Sequence, residues 1–100
     1  MSVLIDYNDE LLCPACSGNY LHHTEVHVYS REEDAQKVLQ TTITRDGAAS
    51  GIVDSMVAAN PSSRRDGLTI KFWCEICHSK PVLMIAQHKG NTQMGWRNVE

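Results

Sequence analysis

One hundred residues at 11.2 kDa, 42% hydrophobic and 21% charged, with 6 Gly and 3 Pro, fit one small domain over 1–100 and exclude a multidomain enzyme. No run approaches the roughly 18 apolar residues of a membrane helix, and the first ten residues are acidic where a secretory or transit segment is basic, so a cytoplasmic protein with no membrane partner is expected. The net charge of -3 hides an asymmetry: residues 1–60 carry nine acidic and three basic groups, net -6, and residues 61–100 carry six basic and three acidic groups, net +3. Ordinary surface charge and a modest basic face for an acidic partner both fit that division.

In chain order, the first feature is the pair Cys13-Pro14-Ala15-Cys16, followed by a segment from Tyr20 to Ser30 with a weak period of two that reads as a strand. Ser30-Arg31-Glu32-Glu33 fits a capping box for a helix from Arg31 to Gln40. The β-branched run Val38 to Thr44 outweighs it, so an acidic turn over Arg31–Asp34 and a strand over Lys37–Arg45 are expected. Asp46 to Gly51 reads as a flexible turn and Ile52 to Ala59 as a short helix stopped by Asn60-Pro61; residues 46–67 together could form a long mobile loop. Leu68, Ile70, Phe72 and Cys74 alternate with Thr69, Lys71 and Trp73, the clearest strand in the chain. It runs into Cys74-Glu75-Ile76-Cys77, and Val82 to Ala86 then forms a short apolar strand paired antiparallel with it.

All four cysteines belong to the two C-x-x-C pairs, with 57 residues between Cys16 and Cys74. In a reducing compartment this is the signature of one tetrahedral zinc site with Cys13, Cys16, Cys74 and Cys77 as ligands, each pair supplying half. Three other chemistries use the same residues. A thioredoxin-like centre would use Cys13 and Cys16 alone, but it belongs between a buried strand and a long helix. Cys74-Glu75-Ile76-Cys77-His78 matches the c-type haem attachment pattern, but leaves the first pair unexplained. A disulfide framework needs an oxidising compartment. Four thiolates leave no coordination position for water or substrate, so a zinc held here is structural and the protein is expected not to be an enzyme.

Two cysteine knuckles flanked by strands resemble a zinc ribbon. The resemblance implies a mainly β fold: a small zinc-ribbon-like domain with a three- to four-stranded antiparallel sheet. Its knuckles lie around 13–16 and 74–77, with a long insertion at about 31–67, because the usual spacing between knuckles is only roughly 15 to 20 residues. The stretches Asn60 to Gly67 and Gln87 to Thr92 also look like those of small zinc-ribbon proteins of actinobacterial phages and prophages. That likeness implies the host cytoplasm as location and carries no assigned activity.

Beyond the metal, Arg64 and Arg65 beside Ser62 and Ser63 could offer guanidinium forks to an anion, or could end a solvated loop. Trp73 lies on the strand face opposite Leu68, Ile70 and Phe72, so it either packs on the insertion or is free to stack a base or anchor a partner. Lys71 and Lys89 complete a basic, aromatic second half. His22, His23 and His27 alternate along one strand and cannot all face one ion; His78 follows a knuckle and either hydrogen-bonds near the cluster or is exposed. The expected function is a non-enzymatic binding module that presents Arg64, Arg65, Lys71, Trp73 and Lys89 to a nucleic acid or a protein. A phage-encoded factor acting on a host protein, a homodimer around Trp73, and a thiol redox protein are the alternatives.

Overall fold

The computed structural model describes residues 2–97. The expectation of one domain over 1–100 therefore extends to Met1 and 98–100, which lie outside the described residues. Six strands form one antiparallel sheet: β1 (Leu21–Ser30), β2 (Lys37–Thr44), β3 (Gly47–Asp54), β4 (Gly67–Cys74), β5 (Val82–His88) and β6 (Asn91–Trp96), in the spatial order β3-β2-β1-β4-β5-β6. β1 and β4 form the centre, with the β2–β3 hairpin extending one side and the β5–β6 hairpin the other. The fold is thus all-β with a long insertion between the cysteine pairs, and the described residues contain no helix.

The sheet has six strands where three or four were expected, because two segments pair that do not look like strands alone. Gly47–Asp54 is β3, not a flexible turn followed by a helix. Its small residues have weak strand propensity, but every position pairs with β2, including Ile52 with Leu39 and Val53 with Val38; tertiary pairing overrides a weak local preference. The helix expected over Ile52–Ala59 is absent; Val57 and Ala58 instead donate to the Asp54 carbonyl in a tight turn. β6 follows the glycine turn at Lys89-Gly90, whose φ values of 50° and 83° are those of a two-residue hairpin turn. Lys37–Thr44 is a strand, and the segment before it is a turn.

A bulge at Thr24 explains why the periodicity of β1 looks weak. The pairing with β4 shifts between His23 and Glu25, and the Thr24 hydroxyl donates to the Lys71 carbonyl at 3.3 Å. One extra residue in one strand reverses the alternation beyond it. Leu21 and His23 therefore share a face with Val26 and Val28, and with Leu68, Ile70 and Phe72 of β4. His22, Glu25, His27 and Tyr29 share the other face with Thr69, Lys71 and Trp73.

That second face is covered by the loop 55–66, which is pinned to the sheet. The Ser62 hydroxyl donates to the Gln87 carbonyl at 2.8 Å, the Arg97 guanidinium to the Ala59 carbonyl at 3.1 Å, and the Ser55 amide to the Gln36 carbonyl at 2.8 Å. The Arg31 guanidinium donates to the carbonyls of Ala35 and Ser63. The same side of the sheet carries the buried Tyr29, Val38 and Thr69. The segment expected to be a long mobile loop is thus half strand and half hydrogen-bonded cover.

Gly67 is where the cover meets the sheet. A Cβ there would run into the Asn60 side-chain oxygen and come within 2.8 to 2.9 Å of the Pro61 ring. Gly67→Ala is expected to lower stability by about 1–3 kcal/mol, because backbone and a rigid ring must move to admit one methyl. The shift in denaturant midpoint of the metal-loaded protein measures it.

Candidate metal centre

Both knuckles have the same backbone design. In the first, the Ser17 amide donates to the Cys13 carbonyl at 2.9 Å and the Cys13 amide to the Gly18 carbonyl at 2.8 Å. In the second, the His78 amide donates to the Cys74 carbonyl at 2.9 Å and the Cys74 amide to the Ser79 carbonyl at 3.0 Å. Ser17 and His78, at equivalent positions, both take a left-handed φ of 62°. In each pair the first cysteine is buried and the second exposed. The knuckles are joined by the Glu75 amide donating to the Tyr20 carbonyl at 3.0 Å, and by Ile76, whose side chain lies where a Cβ on Gly18 would be.

This arrangement brings the four sulfurs together. All lie within 4.8 Å of one another, with Cys13 to Cys77 at 3.8 Å and Cys16 to Cys74 at 3.6 Å, both contacts running between knuckles. A tetrahedron of sulfurs about 2.3 Å from a zinc ion has edges of about 3.8 Å, whereas a disulfide would put two of them about 2 Å apart. The cysteines are free thiols. The four-cysteine cluster can hold one metal ion, and its donor set and geometry suit zinc. Cys13, Cys16, Cys74 and Cys77 are thus together as the spacing implied.

The hydrogen bonds around the cluster favour thiolate unevenly. The Ser79 hydroxyl lies 3.0 Å from Cys77 Sγ and 3.5 Å from Cys13 Sγ. That hydroxyl, with the Ser79 amide, brings the Cys77 thiol down to about 6. Burial pushes Cys13 up, but Ser79 and the amides of Ala15 and Cys16 leave it lowered overall. The Gly18 amide, 3.4 Å from Cys16 Sγ, favours its thiolate, yet desolvation and the other three sulfurs push Cys16 up to about 12. Four sulfurs this close cannot all carry negative charge without a cation to compensate them. Ser79 was not foreseen as part of the site; its only trace in the sequence is its place two residues after Cys77.

The other candidate residues fall into two groups at opposite ends of β4. Lys71 and Trp73 lie near the metal end on the loop-covered face. Lys71 pairs with Glu25 at 3.1 Å; the His27 hydrogen bond and Lys71 hold the Glu25 carboxyl below its usual range. Trp73 is half-buried, and its ring meets those of His22, at 5.9 Å, and His78, stacked at 5.8 Å with an 11° tilt. Arg64, Arg65 and Lys89 line a groove beyond the Gly67 end, with Glu33, Gln87 and His88. Arg64 is held by Asp34 at 2.6 Å and Glu33 at 3.3 Å, and Arg65 by Glu33 at 2.9 Å.

A single antiparallel sheet closed at one end by two matching cysteine knuckles defines a zinc-ribbon-like metal site in an all-β frame. Compared with known proteins, the chain matches no protein-family model, no curated protein and no solved structure. The likeness to a zinc ribbon therefore rests on the cysteines and the sheet that carries them.

Because metal binds the thiolates, its uptake at neutral pH must displace the proton that the raised Cys16 thiol keeps. Calorimetric zinc titration in buffers of differing ionisation enthalpy is expected to show proton release. Affinity is expected to fall with pH across the neutral range, because Cys16 must give up its proton, and to fall more steeply below about 6, where Cys77 is protonated as well. A chelator is expected to abolish the cooperative unfolding transition, since such sites contribute on the order of 10 kcal/mol to folding.

Proposed function

We propose that this protein is a non-enzymatic, zinc-ribbon-like binding module: one structural zinc holds Cys13, Cys16, Cys74 and Cys77, and the sheet presents side chains to a macromolecular partner. The closure of four sulfurs on one another carries this reading. Bound by four thiolates, zinc keeps no position for water or substrate, so it shapes the chain without taking part in a reaction.

The surroundings of the cations favour a protein partner over a nucleic acid. Arg64, Arg65 and Lys71 each already meet a carboxylate, and the pI is near 5.9. Binding to a phosphate backbone gains its energy from several clustered cations that release counterions, and ion-paired arginines supply little of that. Beside the second knuckle, Trp73 with His22 and His78 offers an aromatic surface with Lys71 at its rim, suited to anchoring a protein. In the phage setting of the sequence resemblance, that partner is a host protein in the host cytoplasm.

Titration of the zinc-loaded protein with single-stranded and duplex nucleic acid is expected to give no tight, salt-sensitive binding, even at low salt. Capture from lysate is expected to retain a protein that Trp73→Ala loses, with zinc content unchanged. Salt-sensitive nucleic-acid binding that weakens on Arg64→Ala and Arg65→Ala would replace the protein reading with the nucleic-acid one.

A further inference from the structure

The face of the sheet away from the loop 55–66 carries an unbroken apolar row across all six strands. One row of paired positions runs Ala48, Ile43, Val26, Ile70, Leu83 and Trp96, and the next runs Ser50, Thr41, Val28, Leu68, Ile85 and Met94. Leu39 and Ile52 lie beside them on the β2–β3 hairpin. The N-terminal segment reaches this face at its metal end, where Leu4, Leu12 and Trp96 line a small cleft and both Leu83 and Trp96 are buried. Elsewhere large side chains face outward: Leu39 is 41% exposed, Ile43 44%, Met94 53% and Ile52 67%.

A sheet with an apolar face is one layer of a structure that needs two. The chain exposes 6644 Å², against roughly 5,700 Å² for a compact monomer of this mass. Its radius of gyration is 14.3 Å, against about 13 Å for a compact domain of this length. The excess over the whole chain is of order 900 Å²; the exposed Leu39, Ile43, Ile52 and Met94 place part of it on this face, and a stable interface takes ~800 Å² from each partner.

Charge selects among occupants. The two rows contain no ionisable side chain, so nothing there attracts nucleic acid or an anionic lipid surface. At one rim, Lys37 and Asp54 pair at 3.7 Å and present both signs side by side. A rim carrying both signs around an uncharged centre can complement itself about a two-fold axis. We propose that this face is a homodimer interface, with the sheets of two copies stacked face to face as a β-sandwich and the metal centres outside it. Aligned packing of two twisted sheets about 10 Å apart is the ordinary way such faces are buried. The homodimer expected around Trp73 is thereby moved to the opposite face. The inference does not depend on the partner proposed above.

The test is sedimentation equilibrium of the zinc-loaded full chain, with Ile43→Lys and Ile52→Lys as variants. The wild type is expected at twice the 11.2 kDa chain mass. A lysine forced into the interface leaves a buried charge without a partner, so either variant is expected to weaken the dimer by roughly tenfold or more. Ile52 lies on the edge strand and is already two-thirds exposed, so its variant is expected to keep the wild-type zinc content and circular dichroism, separating lost dimerisation from lost folding. A monomeric wild type at tens of micromolar overturns the proposal, even where another protein is found on this face, and so does a dimer that neither substitution weakens.

Discussion

The meeting of four sulfurs at one end of the sheet is the constraint on which the rest depends. Bringing Cys16 and Cys74 together closes a loop of 57 residues, at an entropic cost of about 4 kcal/mol. A metal bound at such a four-thiolate site would contribute on the order of 10 kcal/mol, enough to outweigh the closure. The knuckles then act directly on the strands. Cys74 is the last residue of β4 and faces Leu21, the first of β1. Fixing the sulfurs thus sets where the two central strands begin to pair.

The small core shows why that anchor is needed. The buried apolar side chains among the described residues are Cys13, Tyr29, Val38, Cys74, Pro81, Leu83 and Trp96, and two of these belong to the four-cysteine cluster. Polar contacts supply much of the remaining cohesion. Ser62 accepts from the Arg64 and Arg65 amides while donating to β5, and Asn60 accepts from the Ser62 amide while donating to the Arg65 carbonyl. The Arg64 guanidinium beside Asp34 holds that carboxyl below its usual range. Both groups are exposed, so the bridge orients the loop more than it stabilises the fold.

Residues whose role is written in spacing or alternation were legible in the sequence. Two C-x-x-C pairs announce a metal site because the ligand geometry requires that spacing, and β4 announces itself because Leu68, Ile70, Phe72 and Cys74 alternate without a break. What escaped was decided by partners distant in the chain. Gly47–Asp54 has the composition of a turn and becomes a strand because β2 supplies hydrogen bonds along its whole length. The Thr24 bulge cannot be seen in β1 alone, since it exists only relative to Lys71 on β4. Ser79 joins the metal centre through the fold of its knuckle, and a serine near a cysteine carries no mark of that in sequence.

The insertion between the knuckles can now be understood by what it does to the sheet. A ribbon consisting of β1, β4 and β5 alone would expose both edges and offer a narrow surface. The β2–β3 hairpin covers the β1 edge, and the loop 55–66 that returns from it lies across one face, so a single excursion both widens the sheet and shields one side. The bulge then determines which side chains that shield receives. It sends Glu25, His27 and Tyr29 to the covered face, where Glu25 bonds His27 at 2.9 Å and His27 meets Thr42 at 3.1 Å. Leu21, Val26 and Val28 are left together on the other face. Without the extra residue, Leu21 would fall among the polar groups and the apolar rows would lose their continuity toward the metal end. A one-residue irregularity in β1 thus keeps the polar network on the side the loop covers and the apolar surface on the side it leaves open.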